Sequence, residues 1–145
     1  MKGTILYTEY DKSEKTYIVV KQTKYGTFIK SVKLHPEDED IQNNYDGYHF
    51  AEMKCDIAAY KAKANYLKQR AIGVEHAYHV ILDSCDLNNS VVLKLKRQVD
   101  VAWWTYQDTL ETYKTLKSSY HFIVENILRQ RRELRQKLEK RRKRQ

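Results

Sequence analysis

Proline and glycine are nearly missing from this chain: one Pro and four Gly in 145 residues. That scarcity excludes a loop-rich architecture and predicts long regular elements. Cysteine is scarce as well. Cys55 and Cys85 are the only two, neither sits in a C-x-x-C pair, and so a disulfide framework or a thiolate metal centre is not expected. If both lie on one helix, thirty residues at about 1.5 Å each separate them by roughly 45 Å, too far for a bridge. Two free thiols fit a reducing compartment. No run of about 18 uncharged apolar residues occurs, which excludes a membrane-spanning helix. The opening MKGTILYTEYDKSEK has too short an apolar run for a secretory signal, so the expected location is the cytoplasm.

Catalytic signatures are also missing. No Ser lies in a nucleophile elbow and neither Cys has an obvious His base. His76 and His79, beside Glu75, are spaced i,i+3 without an evident third ligand and read as a helical surface pair rather than zinc ligands. The acidic run Glu37 to Asp40 offers metal-ligand chemistry, but its simpler reading is a solvated cap and linker. These readings predict a non-enzymatic protein with no cofactor and no metal.

Charge is what the chain has in excess, and in one place. The closing stretch RQRRELRQKLEKRRKRQ, residues 129–145, holds ten Lys/Arg and two Glu. The whole chain has 27 basic and 19 acidic residues. Residues 1–128 therefore carry 27 − 10 = 17 basic against 19 − 2 = 17 acidic. The body is neutral and the tail holds the entire net charge of +8. A field focused at one end points to one anionic partner site. The candidate binding residues are Arg129, Arg131, Arg132, Arg135, Lys137, Lys140, Arg141, Arg142, Lys143 and Arg144. With no zinc-finger spacing, RNA-recognition signature or Gly-rich phosphate loop, the arm is expected to bind nucleic acid nonspecifically. A solvated helix end that keeps the chain soluble is the alternative.

The fold expected is α+β in a single domain, 1–145. Residues 3–34 alternate β-branched or aromatic with polar residues, broken by DKSE and by Gly26, and read as a three-stranded antiparallel β-meander. Residues 35–47 form an acidic linker, with Pro36 at the first position of a helical turn and Asp46 a candidate N-cap. From Phe50 the period changes. Phe50, Met53, Ile57, Tyr60, Ala64, Leu67, Ala71, Val74, Tyr78 and Ile81 recur at spacings of three and four, placing helix one at 48–85. Gly73 inside it costs about 1 kcal/mol against Ala.

The run DSCDLNNS supplies a turn and a new N-cap. Val92, Leu95, Val99, Ala102, Tyr106, Thr109, Tyr113, Leu116, Tyr120, Ile123 and Ile127 then hold one register, placing helix two at 90–143. A short turn makes the two helices an antiparallel hairpin. Counting outward puts Phe50 opposite about residue 124, so helix two overhangs by about twenty residues, and the overhang is the basic arm.

Trp103 and Trp104 are adjacent on helix two. Trp103 flanks the seam, Trp104 faces away, and Leu110 and Val124 widen the same side. This stripe is a candidate protein interface, covered either by the chain's own sheet or by a partner such as a second copy. Six tyrosines of the β region and linker (Tyr7, Tyr10, Tyr17, Tyr25, Tyr45, Tyr48) alternate with lysines. They read as strand propensity, with base stacking on single-stranded nucleic acid the alternative.

The segment LHPEDEDIQNNYDGYHFAEMKCDIAAYKAKANYLKQRAIGVEHAYHVI resembles small accessory proteins encoded by bacteriophages of Gram-positive hosts. The resemblance covers about residues 3–82 and carries no motif of known chemistry. It implies a setting in which such proteins, anti-CRISPR inhibitors included, occupy or block host complexes that handle nucleic acid.

Overall fold

The computed structural model describes residues 1–41, 43–86 and 88–145, with the side chains of residues 37, 40 and 41 set aside. The architecture is α+β, as expected. Strands β1 (Gly3–Asp11), β2 (Thr16–Thr23) and β3 (Gly26–Lys33) form an antiparallel sheet in the order β1-β2-β3. A 3-10 helix (Pro36–Ile41) follows, then α1 (Asn44–Ser84) and α2 (Asn89–Arg144). Pro36 opens the 3-10 helix, where its missing N–H costs nothing. Leu87, inside the expected turn, lies outside the described residues.

The contacts of the chain group into two compact units. One comprises Met1–Ala59 with Thr115–Gln145, the other Tyr60–Lys114. They are called here the sheet unit and the hairpin unit.

The turns of the sheet have local causes. Asp11 Oδ1 accepts from Ser13 N (3.0 Å) and Ser13 Oγ (2.7 Å), which curls the chain after β1. Lys15 then takes a left-handed φ of 51°. Between β2 and β3, Thr23 Oγ1 donates to Gly26 O and accepts from Tyr25 N, both at 3.1 Å. Gly26 adopts φ 139°, a conformation that favours glycine. The register of β1 slips between Ile5 and Tyr7, leaving Leu6 as a bulge.

Alternation on β2 decides which face is inside. Tyr17, Val19, Lys21 and Thr23 are buried, while their neighbours are only half-covered or exposed. Val19 joins Ala51 and Cys55 of α1 in the core, with Phe28, Val32 and Tyr48 packed around them. Tyr17 is 2% exposed, packs against the Tyr10 ring with centroids 4.6 Å apart and a 32° tilt, and donates its hydroxyl to Asn44 Oδ1 at 2.9 Å. This residue is spent on the core and not available to nucleic acid.

Helix one begins earlier than the periodicity predicted, at Asn44 instead of 48. The cap is Asn43, not Asp46: Asn43 Oδ1 accepts from Asp46 N at 3.2 Å, and Asn43 O accepts from Gly47 N at 3.0 Å. Asp46 thus sits in the first turn, where a negative charge suits the helix dipole. Helix two is capped by Asn88, whose Oδ1 accepts from Val91 N at 3.0 Å.

The heptad positions are the covered ones. Phe50, Ala64, Leu67 and Ala71 on α1, and Val99, Thr109 and Tyr120 on α2, are all buried. A second stripe on α1 escaped the seam reading. Gly47, Ala51, Cys55 and Ala59 recur every four residues, and the last three are fully buried. Small side chains let the helix lie close on the sheet, with Gly47 against the Tyr17 ring and Cys55 Sγ 3.5 Å from Phe28 O.

Candidate functional site

The basic arm is the last part of α2, and the helix runs unbroken to Arg144. Its root is not free. Arg132 Nε and Nη2 donate to the two oxygens of Asp38 at 2.8 and 2.9 Å, and Nη1 donates to Glu125 at 3.1 Å. Arg131 Nε donates to Asp46 at 2.9 Å. The hydrogen bonds that Arg132 donates to Asp38, strengthened by the carboxylate charge, hold its guanidinium above the ordinary pKa. Asp38 is 2% exposed. It belongs to the acidic run read as a solvated linker, and in the fold it is a buried ion-pair partner. Glu39 of the same run pairs with Lys15. The side chains of Glu37 and Asp40 lie outside the described residues.

These pairs shorten the overhang. Asp46 on the first turn of α1 meets Arg131, and Lys54 lies over the Tyr120 ring at 5.9 Å, so α1 and α2 run antiparallel in the sheet unit. With α1 beginning at Asn44 and Asp38 of the 3-10 helix pairing with Arg132, α2 runs on beyond that pair for residues 133–144, or 144 − 132 = 12, not about twenty. Two of the ten expected binding residues, Arg131 and Arg132, are therefore taken by the chain's own acids.

Lys137, Lys140, Arg141, Arg142, Lys143 and Arg144 are exposed, and none forms an ion pair among the described residues. Arg129 is exposed and donates to Asn126 at 2.8 Å, and Arg135 is half-buried. Leu134 and Leu138, one turn apart, are 51% and 48% exposed. They continue the apolar seam past the point where its partner ends, so the arm has a leucine edge beside its cations.

The tryptophan pair divides. Trp104 is 67% exposed. Trp103 is half-buried, and its Nε1 donates to Glu75 Oε2 at 3.1 Å across the hairpin unit. Leu110 is half-buried. Val124 belongs to the sheet unit, where it lines a small cavity of about 110 Å3 with Tyr17, Val32, Phe50 and Leu128. The expected single stripe is therefore split, and its exposed part is Trp104.

A second charged cluster lies inside the sheet unit. Lys21, 4% exposed, reaches Glu52 at 2.8 Å and Asp56 at 2.9 Å. Burial lowers the Lys21 pKa, but its two carboxylate partners outweigh that and leave it raised. A buried cation with two acids at hydrogen-bond distance ties β2 to α1 and has a structural role. Among the described residues, no group of three His, Cys, Asp or Glu is placed to hold a metal ion. No helix among them is long and apolar enough to cross a membrane. No family model, curated protein or solved structure matches this chain.

Proposed function

We propose that this is a non-enzymatic binding protein that engages nucleic acid, or a complex containing it, through the distal basic arm. The reading rests on one observation. Two arginines fasten the root of the helix to buried or half-buried acids, while six cations beyond them have no partner among the described residues. A helix held at its base presents its distal charges in a defined direction at little ordering cost. Those charges act on phosphates by counterion release, which is strong and indifferent to sequence. In the phage-type setting that the sequence resemblance implies, such a protein blocks or modifies a host defence or replication complex.

The test is binding of labelled DNA and RNA at two salt concentrations. The natural chain is compared with one in which Lys137, Lys140, Arg141, Arg142, Lys143 and Arg144 are all Gln. This variant is preferable to truncation after Leu128, which would also strip Asp38 and Asp46 of their partners. The natural chain is expected to bind, with a log–log salt slope of about 0.9 per duplex phosphate contact. The glutamine variant should lose most of that slope. Equal binding by the two chains, or none by either, overturns the reading.

A second reading, assembly through the hairpin, draws on the exposure of Trp104 and Val101, at 67% and 56%. Sedimentation of Trp104→Glu decides it: an assembly in the natural chain that falls to monomers in the variant supports the rod, and an unchanged monomer ends it.

A further inference from the structure

The hairpin unit holds a groove of about 650 Å3 between its two helical segments. Leu67 and Val74 come from α1 and Val101 from α2. Leu67 is 9% exposed, but Val101 is 56% exposed, so the apolar lining is only partly covered. The cations of the lining come from both helices: Arg70 from α1, Lys94 and Arg97 from α2. Among the described residues no acid lines the groove, and none of the three cations has an ion-pair partner.

The spacing suggests the shape of the occupant. Lys94, Arg97 and Val101 follow one another at three and four residues, along one face of α2. The α2 lining runs on to Thr105. At about 1.5 Å per residue that is roughly 16 Å, or three helical turns. Positive charge contributed by both walls of an apolar trough suits a helix whose apolar stripe lies between two acidic flanks. A single anionic head group would use one end only. The chain's own basic arm, or that of a second copy, carries the wrong sign for this groove.

We propose that the groove receives an amphipathic helix of a partner protein, with Asp and Glu flanking its apolar stripe. The groove and the arm are separate sites, and neither proposal depends on the other.

The probe is a labelled synthetic helix of about sixteen residues, with a Leu stripe and Glu flanks, read by fluorescence anisotropy. A control peptide has Lys in place of every Glu. The acidic peptide is expected to bind the natural chain and the basic one is not. The double variant Arg70→Glu with Arg97→Glu should weaken binding about tenfold or more, because it reverses two of the three facing charges. All three cations are exposed, so these changes leave the helices standing, and Lys94→Glu gives an independent second variant. The chain with the six arm cations changed to Gln must retain binding, since an acidic peptide could otherwise be held by the arm. No binding to the natural chain overturns the proposal. So does binding that survives the groove variants, or binding that disappears with the arm cations. Displacement of the peptide from the six-glutamine chain by a single-stranded oligonucleotide would also end it, by making the groove a nucleic-acid site.

Discussion

Arg132 holds Asp38 by two parallel N–H···O bonds of 2.8 and 2.9 Å, joining α2 to the 3-10 helix across 94 residues of sequence. The two partners are unequally covered: the Asp38 side chain is 3% exposed and that of Arg132 33%. That inequality predicts unequal costs. Arg132→Met leaves a buried carboxylate without its partner and should cost about 3–5 kcal/mol. Asp38→Asn leaves a guanidinium that still reaches Glu125 and water, and should cost about 1–2 kcal/mol. Urea unfolding of both variants measures the difference, and equal costs or the reverse order would refute this account.

Gly47 and Gly73 predict opposite signs for the same substitution. A Cβ at Gly47 would collide with the Tyr17 ring, whereas one at Gly73 would meet nothing within 4 Å. Gly73→Ala should stabilise the chain by about 0.5–1 kcal/mol through helix propensity. Gly47→Ala should destabilise it by about 1–3 kcal/mol, because overpacking exceeds the same propensity gain. Thermal melts of the two variants check both signs.

The two thiols should react at very different rates. Cys55 is fully buried, and burial, followed by the charge of Asp56, pushes its pKa up. Cys85 is exposed. Iodoacetamide at pH 8 should therefore alkylate one thiol of the native chain quickly and the second only after denaturation, as counted by mass. The linkage has a definite sign. A folded pKa above the unfolded one favours the neutral thiol. Its contribution to stability is complete below the unfolded value and is lost as pH climbs through the raised one. Two fast labels on the native chain would contradict the burial of Cys55.

Trp103 and Trp104 should separate in stability measurements. Trp103→Phe removes a donor from the Glu75 carboxylate and should cost about 1–2 kcal/mol. Trp104→Gln, at an exposed helical position, should stay within about 0.5 kcal/mol of the natural chain. Guanidinium unfolding of the two variants is the measurement.

Elements were readable in the sequence where a period of two or of seven met a turn or a cap. The meander followed from alternation broken at DKSE and Gly26. The seam residues followed from spacings of three and four, and burial at Phe50, Leu67, Ala71, Val99 and Tyr120 agrees. The early start of α1 carries no periodic signal, because Asn43 and Asn44 lie ahead of the first seam residue, Phe50. The stripe of Gly47, Ala51, Cys55 and Ala59 had a signal, its regular spacing of four. Small residues score weakly in a hydrophobic pattern, so that spacing does not stand out from the sequence.

The sequence by itself determined that this chain is α+β, that its helices carry one continuous seam, and that its excess charge sits in the last seventeen residues. Those properties depend on neighbours in the chain, through backbone sterics, side-chain period and local charge. Only the tertiary structure decided which cations remain free. Asp38 and Asp46 reach Arg132 and Arg131 over 94 and 85 residues. No local pattern records such a pairing, because it exists only once the acidic segment and the end of α2 are folded against each other.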